Sequence, residues 1–279
     1  ELSPPPLQSV WDAVNADSSL CSGKRCSPEH CFYRKARAQV EKADIIIVNH
    51  SLLFSLLGAG VSPPNDSDGI IFPDDFIIFD EAHEMVGEAS EHLGVSISSW
   101  TLENSLKRLY NPAKRKGILK KVGRVKDFDS VDFALHAVSD FFNHLHSVTL
   151  GQKDRIRILE PNEIPLDLLP PLSRVIRSLV ELGENCEEES LKVELIDQSK
   201  RFQAYINGLS EIIEIKDSNS VYWIERTGKQ KQIIHLRSAP LEVSRILERE
   251  LFDKSSPVVM TSATLTQNAS SSKFIESTG

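Results

Sequence analysis

The sequence predicts an α/β protein in which a block of helices interrupts a parallel sheet. Two short apolar runs, residues 44–49 and 76–79, each precede a segment with helical spacing, as buried parallel strands do. A third run, residues 257–261, follows an amphipathic pattern at residues 239–252. Between these stretches, residues 98–216 show helical periodicity with intervening loops. The simplest organisation is an α/β layer with a helical insert.

The segments around the first two strands are expected to be loops and helices. A polar loop carries three cysteines at residues 21–31, and a helix is expected from about residue 28 to residue 42. Helical patterns follow the two apolar runs at residues 51–57 and 84–93. Together they favour strand–helix–strand–helix order.

The insert is expected to contain at least three helices. One has an apolar stripe between residues 133 and 145, and the others span residues 168–182 and 191–215. After residue 218, two alternating segments at 221–226 and 232–236 predict a β-hairpin around a glycine-containing turn.

Composition excludes several classes of protein. The chain has 279 residues, of which 40% are hydrophobic, enough for a sizeable core. No apolar run approaches the ~20 residues that a membrane span needs. Four cysteines are too few for a disulfide-stapled scaffold of this length. The net charge of −8 argues against a protein that coats nucleic acid through overall basicity.

The strongest chemical signal is Asp80-Glu81-Ala82-His83, directly after the run at residues 76–79. Nucleotide phosphates bind at the carboxyl ends of parallel strands, where one carboxylate can hold Mg²⁺ and a second can orient or deprotonate water. The alternative is a solvated strand end, where carboxylates are favoured by a following helix dipole.

A second signal is Thr261-Ser262-Ala263-Thr264-Leu265, which also follows an apolar strand. Hydroxyl side chains at a strand end can bond to the acidic motif or to phosphate. Alone, this pattern is equally typical of a Ser/Thr turn, so its weight comes from its pairing with the acidic motif.

Cys21, Cys26 and Cys31 are clustered with equal spacing. Close thiolates are soft ligands for iron–sulfur clusters or zinc. Zinc with His30 as fourth ligand is an alternative, although adjacent ligands make awkward geometry. Three unrelated thiols in a loop are the remaining interpretation.

Two basic regions are candidates for nucleic-acid contact. Residues 107–126 contain nine lysines and arginines and no acidic residue, a local asymmetry that could contact a phosphate backbone. A solvated helix face with a flexible loop would look the same. Just past the cysteines, an aromatic residue lies among cations, as in single-strand binding sites. The candidate DNA-binding residues are Tyr33, Arg34, Arg37, Lys114, Arg115, Lys116, Lys120 and Lys121.

Taken together, the motifs resemble those of superfamily 2 helicases. Asp80-Glu81-Ala82-His83 is similar to motif II and Ser262-Ala263-Thr264 to motif III. The order of the cysteine cluster, the segment Ile47–Leu53, the acidic motif, the helical insert, Leu236–Pro240 and the threonine–serine motif resembles the DinG branch of the XPD-like DNA helicases.

The resemblance implies a cytoplasmic, nucleoid-associated, monomeric 5′→3′ ATP-dependent helicase of repair or replication. It would act on single-stranded or forked DNA, with ATP, Mg²⁺ and a 4Fe–4S cluster as cofactors and no membrane contact. Asp80 would hold Mg²⁺ and Glu81 would activate water. His83, Ser262 and Thr264 would couple the nucleotide to DNA. The three cysteines match the closely spaced trio of the cluster ligands, and the first ligand would precede Glu1.

The implied architecture is a partial RecA-like parallel sheet with an inserted helical arch and a small iron–sulfur domain. Residues 1–42 would be the incomplete iron–sulfur domain and residues 43–97 the first part of motor domain 1. Residues 98–217 would be the arch, and residues 218–279 the second part of the motor domain.

A phosphate-cradling G-x-x-x-x-G-K-[S/T] loop does not occur in this sequence, so the chain alone is expected to lack ATPase activity. The expected fragment lacks this loop and the second motor domain, and its cluster is expected to be absent or labile. The alternative function is a metal-stabilised module that binds single-stranded nucleic acid without motor activity, which leaves both helicase-like motifs as coincidences.

Overall fold

The computed structural model describes residues 29–40, 42–58, 76–151, 153–228, 232–252, 257–263, 274–275 and 278. Its helices are α1 (Phe32–Val40), α2 (His50–Gly58), α3 (Met85–His92), α4 (Ser99–Leu109), α5 (Val125–Thr149), α6 (Leu169–Glu184), α7 (Glu189–Glu214) and α8 (Val243–Leu247). Its strands are β1 (Ile77–Phe79), β2 (Ser96–Ser98), β3 (Arg155–Ile158), β4 (Ser220–Thr227), β5 (Ile233–Pro240) and β6 (Val258–Met260). None of the helices within these ranges could span a membrane.

β1 and β6 form a small parallel sheet with its own apolar core. Ile77 pairs with Val258, and Phe79 with Met260. Phe79 is buried and stacks on Phe54 of α2, with ring centroids 6.2 Å apart. This core also takes in residues from α3 and α8. The strands predicted at residues 76–79 and 257–261 are therefore present, although each is shorter than its apolar run.

The strand predicted at residues 44–49 is wrong. These residues have no regular secondary structure, and the side chains of Ile45 and Ile47 are 80% and 92% exposed. An apolar run becomes a buried strand only when a neighbour completes its hydrogen-bond ladder and other elements cover its faces. Within the described residues, β1 pairs with β6 and no strand pairs with residues 44–49.

The second sheet is antiparallel, with strand order β2-β5-β4-β3. The predicted hairpin is its centre, and β4 pairs with β5 along all eight residues. One face carries Tyr222, Ile224, Ile234 and Leu236, which share a core with apolar residues of α4 to α7. Packing therefore groups the hairpin with the helical insert rather than with β1 and β6. The described part of the protein is mixed α/β, with one parallel and one antiparallel sheet.

The insert begins and ends at the same place. Its entry strand, β2, is antiparallel to its exit strand, β5. Just before β2, the Val95 amide donates to the Ser238 hydroxyl over 2.9 Å, and the Ser238 amide donates to the Val95 carbonyl over 2.8 Å. The chain therefore leaves the smaller core and returns to it at one point, the crossing, where Val95 and Ser238 are hydrogen-bonded to each other.

Gly94 is required at that crossing because a β-carbon there would lie 1.9 Å from the Ser238 carbonyl oxygen. We expect Gly94→Ala to lower the free energy of unfolding by about 1–3 kcal/mol, because backbone would have to move to remove the clash. Urea denaturation followed by circular dichroism measures the change.

Gly87→Ala is the matched control, since a β-carbon at Gly87 meets nothing within 4 Å. This exposed residue lies inside α3, so alanine should raise stability by up to about 1 kcal/mol. Equal effects of the two substitutions would contradict the steric role of Gly94.

Candidate active site

The parallel register of β1 and β6 brings the two sequence motifs to one edge. Asp80 follows β1, and Thr261 follows β6. The Thr261 amide donates to the Phe79 carbonyl over 2.8 Å, and the Ala82 amide donates to the Thr261 carbonyl over 2.9 Å. These bonds continue the ladder beyond the strands, so the motifs are joined through backbone as well as side chains.

Asp80 is held at the strand end by two donors. The Thr261 hydroxyl donates to Asp80 Oδ1 over 2.9 Å. The Glu81 amide donates to the same oxygen over 3.0 Å. Within the described residues, Asp80 Oδ2 accepts no hydrogen bond, and the side chain is exposed, so the protein orients one carboxylate oxygen and leaves the other available to a ligand.

Glu81 has left-handed backbone geometry, with φ 50° and ψ 45°. This region is costly for residues with a β-carbon, and strained residues cluster at functional sites. The turn ends β1 and starts the 3₁₀ turn Ala82–Glu84. It directs the Glu81 carboxylate, which is 57% exposed, toward His83.

His83 links the acidic motif to the second motif. Its Nδ1 lies 2.8 Å from Ser262 Oγ and 3.3 Å from Glu81 Oε2. One ring nitrogen therefore stands between a hydroxyl of one strand end and a carboxylate of the other. This ring therefore connects the Glu81 carboxylate to Ser262. Thr264, predicted to share this role, lies outside the described residues.

The carboxylate pair fits a magnesium–nucleotide group. Asp80 and Glu81 offer hard oxygen ligands, and in the part of the chain that the structure describes no lysine or arginine forms an ion pair with them. Mg²⁺ is usually held by one or two carboxylates together with substrate phosphates and water. No group of three His, Cys, Asp or Glu side chains with metal-binding geometry occurs among the described residues.

A cavity of about 1060 Å³ lies beside this edge. Asp80, Glu81 and Glu84 line one side, and residues 44–51 line another. Ile45, Ile47 and Ile78 contribute apolar surface. The cavity combines an acidic edge with an apolar wall.

The cysteine-containing segment is described only from residue 29. Cys31 is a half-buried free thiol just before α1, and its carbonyl accepts the Lys35 amide over 2.8 Å. Cys21 and Cys26 lie outside the described residues. On α1, the Tyr33 side chain is 36% exposed and Arg34 is half-buried. Arg37 belongs to the same helix.

The basic tract divides into a paired part and an open part. Lys107 pairs with Glu103 within α4. Lys126 and Arg124 both bind the Glu181 carboxylate, at 2.8 and 3.0 Å. The hydrogen bond and charge of Lys126, with a smaller effect of Arg124, lower the pKa of Glu181. These cations join α5 to α6.

The exposed part of the basic tract is a tight loop after α4. The Asn111 amide donates to the Lys116 carbonyl over 2.7 Å, and the Lys114 amide donates to Asn111 Oδ1 over 3.0 Å. Gly117 has φ 144°, and a β-carbon there would lie 2.4 Å from the Leu109 carbonyl. The five predicted DNA-binding residues of this region are all exposed: Lys114, Arg115, Lys116, Lys120 and Lys121. They form the basic loop.

With this geometry in place, comparison with known proteins finds relatives. Residues 12–102 match the family model DEAD_2. The chain is similar to proteins described as DinG and YoaA. It is 29% identical over 310 aligned positions to the Bacillus subtilis protein described as 3′-5′ exonuclease DinG, covering 97% of this chain and 32% of that protein. It is 27% identical to the Escherichia coli ATP-dependent DNA helicase YoaA, covering 93% of this chain and 39% of that protein.

This DinG relative spans only about a third to two-fifths of the curated proteins it matches. The solved structure of S. tokodaii Xpd4 aligns over 84% of this chain and 44% of that chain, with 19% identity and a TM-score of 0.44. The helicase family predicted from the two motifs is confirmed by the sequence matches.

Hydroxyl side chains of the second motif were expected to bond to the acidic motif or to phosphate, and the Thr261 hydroxyl makes such a bond to Asp80. Within this motif, the sequence had pointed to Ser262 and Thr264 rather than to Thr261 as the residues with a coupling role. The contact depends on the pairing partner of β1, which residue spacing alone does not specify.

The strain at Glu81 predicts that Glu81→Gly stabilises the DinG relative by about 1 kcal/mol, because glycine adopts the left-handed region without a β-carbon penalty. The free energy of unfolding in urea measures this effect.

Glu84→Gly serves as the control, because Glu84 has φ −82° and precedes α3. Glycine there should be neutral or destabilising. Destabilisation by Glu81→Gly of the same size as by Glu84→Gly would show that the observed turn carries no strain.

Proposed function

We propose that this chain is the part of a DinG-type ATP-dependent DNA helicase that presents the acidic pair to a bound magnesium–nucleotide. The observation that carries the proposal is the parallel pairing of β1 with β6, which places Asp80 and Glu81 against Thr261 and Ser262. Family membership supports it, because YoaA is described as an ATP-dependent DNA helicase.

Asp80 is proposed as the magnesium ligand and Glu81 as the group that orients or deprotonates the attacking water. Mg²⁺, when bound, would neutralise charge on the nucleotide phosphates. Thr261 and the Glu81 amide fix one oxygen of Asp80, which leaves the other directed outward. The exposed Glu81 carboxylate has no cationic partner beyond His83 in the described ranges, so it can accept a proton from water.

His83 and Ser262 are proposed as the coupling link between nucleotide and DNA. Their 2.8 Å contact joins the turn after β1 to the segment after β6. A shift of Glu81 on hydrolysis would change the partner of His83 Nδ1 and release or tighten Ser262. Thr264 is proposed to continue this link.

The DNA partner is proposed to be single-stranded or forked DNA. The basic loop offers five exposed cations in a backbone-fixed turn, suited to phosphate contact. Tyr33, Arg34 and Arg37 on α1 offer an aromatic ring among cations, suited to base stacking.

Further properties are proposed from family membership. They are 5′→3′ movement, a role in repair or replication, and a 4Fe–4S cluster bound by Cys21, Cys26, Cys31 and a fourth ligand. The proposed domains are those predicted above, except that packing favours assigning residues 218–240 to the insert, because β4 and β5 share its core.

The 279-residue chain is expected to show no DNA-stimulated ATP hydrolysis, because its sequence contains no phosphate-cradling loop. A malachite-green assay with ATP, Mg²⁺ and single-stranded DNA tests this. Clear stimulation that is lost in Asp80→Asn would show that the chain binds nucleotide phosphates by other means.

In the full-length protein, Glu81→Gln should lower the turnover number for ATP by about 10²–10⁴-fold, as expected for loss of general-base catalysis. The change keeps size and hydrogen bonding but removes the basic oxygen, so nucleotide binding should persist. Steady-state ATPase assays and a fluorescent-nucleotide titration separate the two effects.

Glu91→Gln on α3 is the matched control, because this exposed carboxylate lies outside the motif. It should leave turnover unchanged. Unchanged activity in Glu81→Gln would remove the proposed role of Glu81, whereas equal loss in both variants would point to a general charge effect.

A further inference from the structure

The antiparallel sheet has a polar face opposite its core. Side chains alternate along each strand, so residues paired directly across strands share a face. In β4 and β5, Tyr222, Ile224, Ile234 and Leu236 point to the core. The residues between them, including Trp223 and Arg237, belong to the other face. We call this second surface the outer face of the sheet.

One row of the outer face places an aromatic ring between two arginines. Trp223 on β4 is paired with Arg157 on β3 and with Arg237 on β5. Ser96 on β2 completes the row beside Arg237. Directly opposed side chains have β-carbons about 4.5–5.5 Å apart. Both arginine side chains are therefore long enough for their guanidinium groups to reach the Trp223 indole.

Trp223 is not a core residue. It is half-buried and is absent from both apolar cores and from the partly buried residues packed on them. Its indole Nε1 is shielded from solvent and has no hydrogen-bond partner among the described residues. Tryptophan N–H groups usually find a partner when they are buried. The side chain therefore fills no core, and its half-buried state leaves part of it accessible on the outer face.

The neighbouring row holds one of the two arginines. Glu225 is buried between Arg155 and Arg237, with Nε to carboxylate distances of 2.6 and 2.8 Å. Arg157 is exposed and forms no ion pair with the residues that the structure describes. Three arginines against one carboxylate give these two rows a local charge of +2, inside a chain of net charge −8.

His235 adds a second ring to this row, opposite Glu225. Burial, followed by the charge of Arg237, lowers the pKa of His235, while Glu225 opposes the change. This shift favours the neutral imidazole, and its Nε2 lies 2.8 Å from the Thr227 hydroxyl oxygen. It widens the planar surface without adding a charge.

We propose that the outer face of the sheet binds single-stranded DNA, with a base stacked on Trp223 and flanking phosphates bound by Arg157 and Arg237. Stacking on an aromatic ring tolerates any base, and a guanidinium binds phosphate through paired donors. A four-stranded sheet that offers aromatic rings to unstacked bases is an established solution for single strands. An acidic peptide would satisfy the arginines but would leave the indole face without a planar partner.

This site is separate from the basic loop and from α1, and it rests on the proposed DNA-binding function. The 279-residue chain is titrated into a fluorescein-labelled oligothymidylate of about 12 nucleotides, and polarisation is followed. Trp223→Ala should raise Kd about tenfold, from the loss of one stacked base. Arg157→Ala should raise Kd severalfold and reduce the salt dependence by about 0.7 in slope.

Trp100→Ala is the matched control, because Trp100 is 43% exposed on α4 and lies outside the sheet. It should bind as the unchanged chain does. Trp223→Phe keeps an aromatic face and should recover most of the affinity. Circular-dichroism melting checks that each variant is folded. If Trp223→Ala unfolds, Arg157→Ala still tests the site, because Arg157 is exposed.

Three results would overturn the site without touching the helicase assignment. The first is unchanged affinity in Trp223→Ala and Arg157→Ala, together with weaker binding when the basic loop loses its cations. The second is that polyglutamate of matched charge competes for the unchanged chain as well as DNA does, and that this competition is lost in Trp223→Ala and Arg157→Ala. That result would indicate a surface that binds acidic peptides. Absence of any DNA binding by the unchanged chain also overturns the site, whereas the Glu81→Gln assay judges the helicase function separately.

Discussion

The pairing of β1 with β6 is the constraint on which the site depends. The two strands are far apart in sequence, and the Thr261–Asp80 hydrogen bond joins residues 181 positions apart. Closing the chain between β1 and β6 costs less conformational entropy because the long insert is folded and is not an open loop. Its entry strand pairs with its exit strand, so the folded insert delivers both ends of the chain to one point. The crossing at Gly94 and Ser238 directly follows Leu93, which packs against the smaller core.

Charge is distributed unevenly over the structure. The edge of the parallel sheet is acidic, which suits the proposed magnesium–nucleotide site. The basic loop and the outer face of the antiparallel sheet are positive within a chain of net charge −8. Part of the basic tract is used internally, since Arg124 and Lys126 bind Glu181. Only the remaining exposed cations are available to a phosphate backbone.

Sequence patterns predicted the elements whose signal is local. The helices of the insert, the hairpin and the strands that precede both motifs are present, because periodicity and turn residues act over a few positions. The strand predicted at residues 44–49 is not formed, because apolar composition alone does not provide a pairing partner. The short strands β2 and β3 were missed for the converse reason, since the hairpin recruits them.

The sequence by itself predicted a likeness to DinG-type helicases, through Asp80-Glu81-Ala82-His83 and its distant partner motif, and the relatives that match the chain agree with it. It also determined which residue types were available for nucleotide and DNA contact. Only the tertiary structure decided that Thr261 orients Asp80, that His83 meets Ser262, and that Trp223 lies between two arginines. Local propensity acts along the chain, whereas strand register sets which distant side chains meet, and register is set by long-range pairing.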